Sequence, residues 1–161
     1  MKKLCFVFCC VCSVWFLMDS CATSEERAAQ AAEKAQQVSA ALAQRHFKIG
    51  IDRMYPMRGT PRSVSFGFSV EVKGDTLVSY LPYFGRAYHV PYGGGKGLNF
   101  SERISSYNEW QLKKGQRHIE IGLANDEDTY LYTFEVFTNG SATIDVLARE
   151  RERISYSGVM E

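Results

Sequence analysis

The residues best suited to binding or catalysis are concentrated in one segment, Tyr80 to Gly97. This segment contains four of the nine tyrosines, two of the four prolines, five of the thirteen glycines and one of the three histidines. Tyrosine and arginine suit recognition surfaces because they bury a large rigid area while keeping a polar end. We therefore predict a binding groove in this segment, lined by Tyr80, Tyr83, Arg86, Tyr88, His89 and Tyr92.

The same segment also has a purely structural interpretation. Tyr80, Tyr83 and Phe84 could instead fill the core, while the two prolines shape the connection. The sequence leaves both interpretations open. In either case, residues 93 to 97 are rich in glycine, which accepts many backbone conformations. We expect this end of the segment to move rather than to make contacts.

Sequence patterns for the common catalytic and cofactor-binding sites are missing. Lys96 lies among glycines, but a P-loop needs Ser or Thr after the lysine and a helix beyond it, and here Gly97 follows. The histidines are far apart, without zinc-site spacing, and no Gly-x-Ser-x-Gly nucleophile turn occurs. We expect no cofactor, no metal and no catalytic residue. An envelope hydrolase or other enzyme that uses His89 and a nearby carboxylate is the alternative.

One further acidic cluster could carry chemistry. Asp126 and Asp128 flank Glu127 in a predicted turn. We interpret this cluster as an exposed hairpin turn, with weak calcium binding as the minor alternative.

Strands must position the aromatic segment. From residue 64 to residue 72, apolar side chains alternate strictly with small or polar ones, which predicts one continuous half-buried strand. Gly74 and Asp75 then form a two-residue hairpin signal, because glycine accepts the positive φ of a type II′ turn. This turn sets Lys73 opposite Thr76 and Tyr80 opposite Ser69, so Tyr80 leaves the sheet on its polar face.

The other strand patterns are short and separated by tight turns. They lie at 47–56, 117–123 and 154–159, with a hairpin around Asn139-Gly140 whose strands carry apolar residues on both faces. Residues 98–104 could form a further strand, and residues 107–112 fit either a strand or a turn. A parallel sheet needs long crossovers, which are missing. The predicted fold is mainly β, an antiparallel sandwich or partly open barrel of about eight strands preceded by one N-terminal helix. A second layer or the helix is expected to cover the last hairpin.

A helix precedes this β domain, which we assign to residues 47–161. Thr23 and Glu26 have the spacing of a capping box, and an alanine-rich run with helical spacing follows as far as Leu42. Most apolar side chains in the run are methyl groups, which bury little area. We interpret residues 21–46 as a helical spacer whose last turns dock on the domain, with a coiled-coil partner as the alternative.

The first twenty residues have the pattern of a secretory signal peptide. Lys2 and Lys3 precede an apolar run of about 14 residues, shorter than the roughly 20 needed to span a bilayer. A small residue and Cys21 end the run, as in the lipobox of bacterial lipoproteins, although Asp19 departs from that pattern. We predict cleavage before Cys21 and a lipid on its thiol. The alternative is ordinary signal-peptide cleavage between Ser20 and Thr23.

The predicted processing also limits the partners. All five cysteines lie in or at the end of the leader, which excludes a disulfide framework in the domain. Removing residues 1–20 lowers the net charge from +1 to zero, which is unlike a nucleic-acid binder. We expect a membrane contact through the lipid anchor, together with an unknown envelope protein or a small ligand, and no nucleic acid.

Four features occur in one order: Val-Lys-Gly-Asp-Thr from Val72, Tyr-Leu-Pro-Tyr-Phe-Gly-Arg from Tyr80, the glycine run, and Ile-Ser-Tyr-Ser-Gly from Ile154. With these features, residues 47–160 resemble a family of small lipoproteins from Gram-negative gut anaerobes that is catalogued as a domain of unknown function. The resemblance implies a mostly β domain in the cell envelope and no particular activity. We therefore expect an outer-membrane lipoprotein, on the periplasmic or surface face, acting as a binding module. A scaffolding subunit of an envelope complex is the other alternative.

Overall fold

A computed structural model of the protein describes residues 24–89 and 95–161. These residues form one helix and nine strands. The helix is α1 (Ser24–Ala43), and the strands are β1 (His46–Pro56), β2 (Arg62–Ser63), β3 (Ser69–Lys73), β4 (Thr76–Leu81), β5 (Leu98–Gln111), β6 (Arg117–Ala124), β7 (Thr129–Val136), β8 (Ser141–Ala148) and β9 (Ile154–Met160).

β1 and β3 to β9 form an antiparallel barrel of eight strands. β1 pairs with β3, each later strand pairs with the next, and β9 returns to pair with β1 from Ile49 opposite Met160 to Pro56 opposite Ile154. β2 adds two residues beside the far end of β1. Closure gives each of the eight strands two partners and so removes the exposed sheet edges. The predicted mainly β, antiparallel fold after an N-terminal helix is confirmed, and of the two predicted architectures it is the barrel that forms.

Side chains fill the barrel interior. Tyr130, Tyr132, Phe134 and Tyr156 are among its largest buried side chains, and the Tyr132 and Phe134 rings stack with centroids 6.2 Å apart. The Tyr132 hydroxyl donates to Ser79 Oγ at 3.0 Å, and Ser79 Oγ donates to the Leu98 carbonyl at 2.7 Å. These hydrogen bonds satisfy buried polar groups that would otherwise be costly. The interior is therefore a packed core.

The second half of α1 belongs to the same compact unit as the barrel, Ala31 to Glu161. Val38 and Leu42 are buried in the core, and Lys34 and Val38 pack against Gly140 in the turn between β7 and β8. The predicted docking of the last helical turns is confirmed. Among the residues that the structure describes, no helix is long and apolar enough to cross a membrane. The predicted capping residue Thr23 lies outside them.

The predicted continuous strand from residue 64 to residue 72 is wrong, because β3 begins only at Ser69. Val64 still donates to the Asp52 carbonyl at 2.8 Å, and the Phe68 carbonyl still accepts from Ile51 at 2.9 Å, so residues 65–67 leave the sheet between these two bonds. Gly67 has φ +108°, a region that favours glycine, and Phe66 is fully exposed.

The hairpin that follows agrees with its predicted register. Lys73 lies opposite Thr76, Tyr80 lies opposite Ser69, and Gly74 has φ +63°. This register is the one expected from a two-residue turn with glycine at the position of positive φ.

The possible strand at 98–104 and the stretch at 107–112, which fitted a strand or a turn, are parts of one strand, β5, whose register against β6 shifts between Ile104 and Ser106. The expected covering of the last hairpin on both faces is wrong. The last hairpin buries one face only. Leu131 and Leu147 pair across β7 and β8 on the outer face, where they are 37% and 51% exposed. Neither a second layer nor the helix covers them among the described residues.

Candidate binding surface

The loop from Pro82 to His89 follows β4 at one end of the barrel. In an antiparallel barrel, alternate connections lie at the same end, so this loop shares its end with the turn at 125–128 and the segment at 149–153. The docked part of α1, from Ala31 onward, packs at the other end, against the turn between β7 and β8. The aromatic loop and the docked part of the helix are thus on opposite ends of the barrel.

The loop backbone is hydrogen-bonded to the segment before β9. Tyr88 N donates to the Glu150 carbonyl at 2.7 Å, and Glu152 N donates to the Arg86 carbonyl at 2.9 Å. Ala87 lies opposite Arg151 in an isolated antiparallel bridge. The chain around Ala87 is thereby held in position although it belongs to no strand.

The buried side chain of Glu152 adds further contacts to this attachment. Its side chain is 4% exposed, its Oε2 accepts from Arg86 N at 3.1 Å, and its Oε1 lies 3.3 Å from Arg58 Nε. The Tyr83 hydroxyl donates to the carbonyls of Arg86 and Glu152 at 2.9 and 3.0 Å. Burial, and then the Glu152 carboxylate, raise the pKa of the Tyr83 phenol above its ordinary value of 10.0, so the hydroxyl remains a donor into the alkaline range.

The Tyr156 hydroxyl also holds the loop, because it donates to the Pro82 carbonyl at 2.7 Å. This bond links the first residue of the loop to a side chain of the barrel interior.

The acidic turn is largely buried, so its interpretation as an exposed hairpin turn is wrong for two of its three acids. Asp128 Oδ1 accepts from the N–H groups of Thr129, Arg149 and Glu150 at 2.7, 3.0 and 3.2 Å. Arg151, 7% exposed, donates from Nη2 to Glu127 Oε2 at 3.1 Å.

Asp126 alone remains exposed, where it pairs with Lys96 Nζ at 3.1 Å. The interpretation of the turn therefore holds only for Asp126.

This end of the barrel has more buried carboxylates than buried guanidinium groups. Glu127, Asp128 and Glu152 are at most 9% exposed in their side chains, and Arg151 is the one buried cation among the described residues here. A buried charge needs compensation, and backbone N–H groups supply it. Lys96 N, for example, donates to Glu127 Oε1 at 2.8 Å. These donors belong to loops, so the hydrogen bonds that compensate the carboxylates also hold the loops in place. One of the donors is Lys96, in the glycine-rich part of the segment that was expected to move.

The structure does not bring the side chains of the predicted groove together in one place. Tyr83 supports the structural interpretation, since its hydroxyl holds the loop. Tyr80 does not fill the core, because it is 51% exposed on the outer face of β4 and stacks on Phe68 with ring centroids 4.9 Å apart. Arg86, Tyr88 and His89 are exposed together on the loop. Tyr92, like Cys21, lies outside the described residues.

Sequence reasoning missed two arginines and one carboxylate beside the loop. The Arg62 guanidinium lies over the ring of Phe84 at 3.8 Å, and Arg58 pairs with Glu152. Phe84 is 42% exposed and so does not fill the core either. A usable signal was present, because segments 53–63 and 82–89 contain four arginines and no lysine, aspartate or glutamate.

His89 does not have the surroundings of a catalytic base. Its side chain is 89% exposed, and its Nδ1 lies 3.9 Å from Glu150 Oε2, beyond hydrogen-bond distance. Among the described residues, none encloses this imidazole in a site that could hold a substrate. Within residues 24–89 and 95–161, no group of three His, Cys, Asp or Glu side chains is placed to hold a metal ion.

Concave regions lie elsewhere on the barrel, two of them beside exposed apolar side chains. A groove of about 360 Å³ crosses the outer face of β1 beside Phe66, Phe68 and Val159. A shallow depression of about 580 Å³ surrounds Leu131 and Leu147. Neither contains a residue of the predicted site.

These features define a small antiparallel β-barrel with a filled interior, a docked helix at one end and a fixed loop at the other. Residues 29–160 match the family described as Domain of unknown function (DUF4251), and the chain belongs to this family. The fold is similar to that in the crystal structure of a DUF4251 family protein from Bacteroides eggerthii DSM 20697, with a TM-score of 0.61 and 14% identity over 79% of this chain and 86% of that chain. A comparison with curated proteins finds no match.

Proposed function

We propose that the protein is a lipid-anchored component of the cell envelope that binds a partner through the exposed side chains of the loop Pro82–His89. One observation carries this proposal: the loop backbone is fixed while its large side chains are exposed. Phe84 and Tyr88 are 42% and 65% exposed, although hydrogen bonds hold the backbone at Arg86 and Tyr88.

Such an arrangement favours binding for an energetic reason. Ordering a flexible loop on binding costs conformational entropy, and a loop that is already ordered avoids most of that cost. Aromatic side chains add large contact areas with few rotatable bonds. The structural interpretation explains Tyr83 but gives no role to Phe84, Tyr88 or Arg86.

A pull-down of the protein from its own envelope tests the loop. The informative variant is Phe84→Ala/Tyr88→Ala, because Tyr83 holds the backbone and its replacement would change the fold as well. Leu131→Ala/Leu147→Ala is the matched control, since it also removes two exposed apolar side chains. We expect the loop variant to lose the partner and the control to keep it. An unchanged partner list in the loop variant would exclude the loop as the binding site.

The same control tests the scaffolding alternative. Leu131 and Leu147 form an exposed apolar pair, and such surfaces are typical of contacts between subunits. If only the control variant loses its partners, the outer face of β7 and β8 is the interface.

The envelope location rests on the leader and on Cys21. Metabolic labelling with palmitate tests it: label is expected in the wild-type protein and not in Cys21→Ser. Label that persists in the variant would contradict the proposed lipid attachment.

A further inference from the structure

We infer that the partner of this surface is a protein that presents acidic side chains to Arg58, Arg62 and Arg86. The inference rests on the proposed function and specifies the chemistry of the partner. The surface is defined by six residues from two segments, and we call it the arginine–aromatic surface: Met57, Arg58, Arg62, Phe84, Arg86 and Tyr88.

Direct contacts bring the two segments together. The Arg62 guanidinium lies 3.8 Å from the centre of the Phe84 ring. Glu152 pairs with Arg58 at 3.3 Å and accepts from Arg86 N at 3.1 Å, so one buried carboxylate joins the segments from below. These contacts place the Arg58 and Arg62 side chains and the backbone of Arg86 next to one another at this end of the barrel.

The surface has a local excess of positive charge. Segments 53–63 and 82–89 contain four arginines and no lysine, aspartate or glutamate, in a chain whose net charge is only +1. Glu152 compensates one arginine, and Glu150 lies beside Arg149 and His89. Across the described parts of the chain, no carboxylate forms an ion pair with Arg62 or Arg86. These two guanidinium groups are therefore available to an external anion.

The residue types favour a protein as the source of that anion. Interface cores of protein complexes are enriched in aromatic residues, methionine and arginine, and depleted in lysine, aspartate and glutamate. The arginine–aromatic surface shows both the enrichment and the depletion. Met57 is 69% exposed and Tyr88 65%, so apolar contact area accompanies the charge. Arginine also binds carboxylates through two parallel hydrogen bonds, which a lysine cannot do.

A membrane surface fits these observations less well. Anionic lipids attract lysine and arginine alike, and lysine is missing here. The segment that joins the docked part of α1 to β1 also lies at the opposite end of the barrel from this surface.

Binding of labelled poly-L-glutamate to the purified full-length protein in neutral detergent, followed by fluorescence anisotropy, tests the inference. The variant is Arg62→Gln/Arg86→Gln, which spares Arg58 and so leaves Glu152 paired. The control is Lys73→Gln/Arg103→Gln, which removes two exposed charges near the other end of the barrel. We expect the variant to bind about tenfold more weakly or worse and the control to bind like the wild type, since each lost contact is a charge-assisted hydrogen bond.

Three results would overturn the inference: no binding by the wild type, an equal loss in the control, or dextran sulfate or phosphatidylglycerol vesicles binding at least as tightly as poly-L-glutamate. Thermal unfolding of each variant shows whether it is folded.

The envelope pull-down separates the two proposals. If capture requires Phe84 and Tyr88 but is unchanged in Arg62→Gln/Arg86→Gln, the loop is the binding site and its partner is not acidic. If capture requires neither pair, both proposals fail.

Discussion

At the scale of single residues, Asp128 supports the candidate surface without belonging to it, because it binds the backbone of the segment that holds the loop. Its carboxylate is 1% exposed, accepts three backbone N–H groups and lies 3.9 Å from Arg151 Nε. Asp128→Asn would place an amide donor among these donors and remove a charge that compensates Arg151. We expect a loss of about 2 to 4 kcal/mol in the free energy of unfolding, measured with urea.

Asp126→Asn provides the control within the same turn. Asp126 is exposed and pairs with Lys96 only at the surface, so the substitution is expected to cost less than about 1 kcal/mol. Similar losses in the two variants would contradict the role that we assign to Asp128. The sequence could not show which of these two residues is buried, because both are acids in the same predicted hairpin turn. The burial of Asp128 depends on Arg151, which is distant in the sequence.

At the scale of elements, the seam between β1 and β9 depends on glycine. A Cβ on Gly158 would lie too close to the backbone of Gly50 and Ile51, whereas a Cβ on Gly50 would meet the flexible side chain of Glu161. Backbone in a closed sheet cannot move aside, but a surface carboxylate can. We expect Gly158→Ala to cost at least about 3 kcal/mol and Gly50→Ala about 1 kcal/mol, by urea unfolding. Equal losses in the free energy of unfolding for the two variants would show that the backbone between β1 and β9 shifts to accept the added methyl group.

The elements also show where sequence reasoning succeeds. The hairpin at Gly74 was predictable in register because its signal is local, a glycine with positive φ between two alternating strands. The departure of residues 65–67 from the sheet was not predictable, because Phe66 continues the apolar pattern although it is fully exposed. The pairing of Ala87 with Arg151 joins residues far apart in sequence and has no local signal. The position of the candidate loop was therefore predictable, whereas its attachment was not.

At the scale of the whole molecule, the tyrosines of the barrel interior make the free energy of unfolding depend on pH in the alkaline range. Burial raises the pKa of the phenols of Tyr132 and Tyr156 above the ordinary value of 10.0. In the unfolded chain, both phenols lose their protons near pH 10, while in the folded protein they keep them. The folded state thus binds more protons, so this contribution is complete below pH 10 and is lost as the pH rises.

We therefore expect the free energy of unfolding to fall above about pH 10, by up to about 1.4 kcal/mol per pH unit for each buried tyrosine. Tyr132→Phe should lower stability at neutral pH by about 1 kcal/mol, through its lost bond to Ser79, and should make the alkaline decline shallower. Ile144→Val, at a fully buried position, is the control that lowers stability without removing a phenol. Urea unfolding at a series of pH values, with phenolate absorbance recorded in parallel, measures both effects. A decline of equal steepness in Tyr132→Phe and Ile144→Val would show that Tyr132 ionises without unfolding.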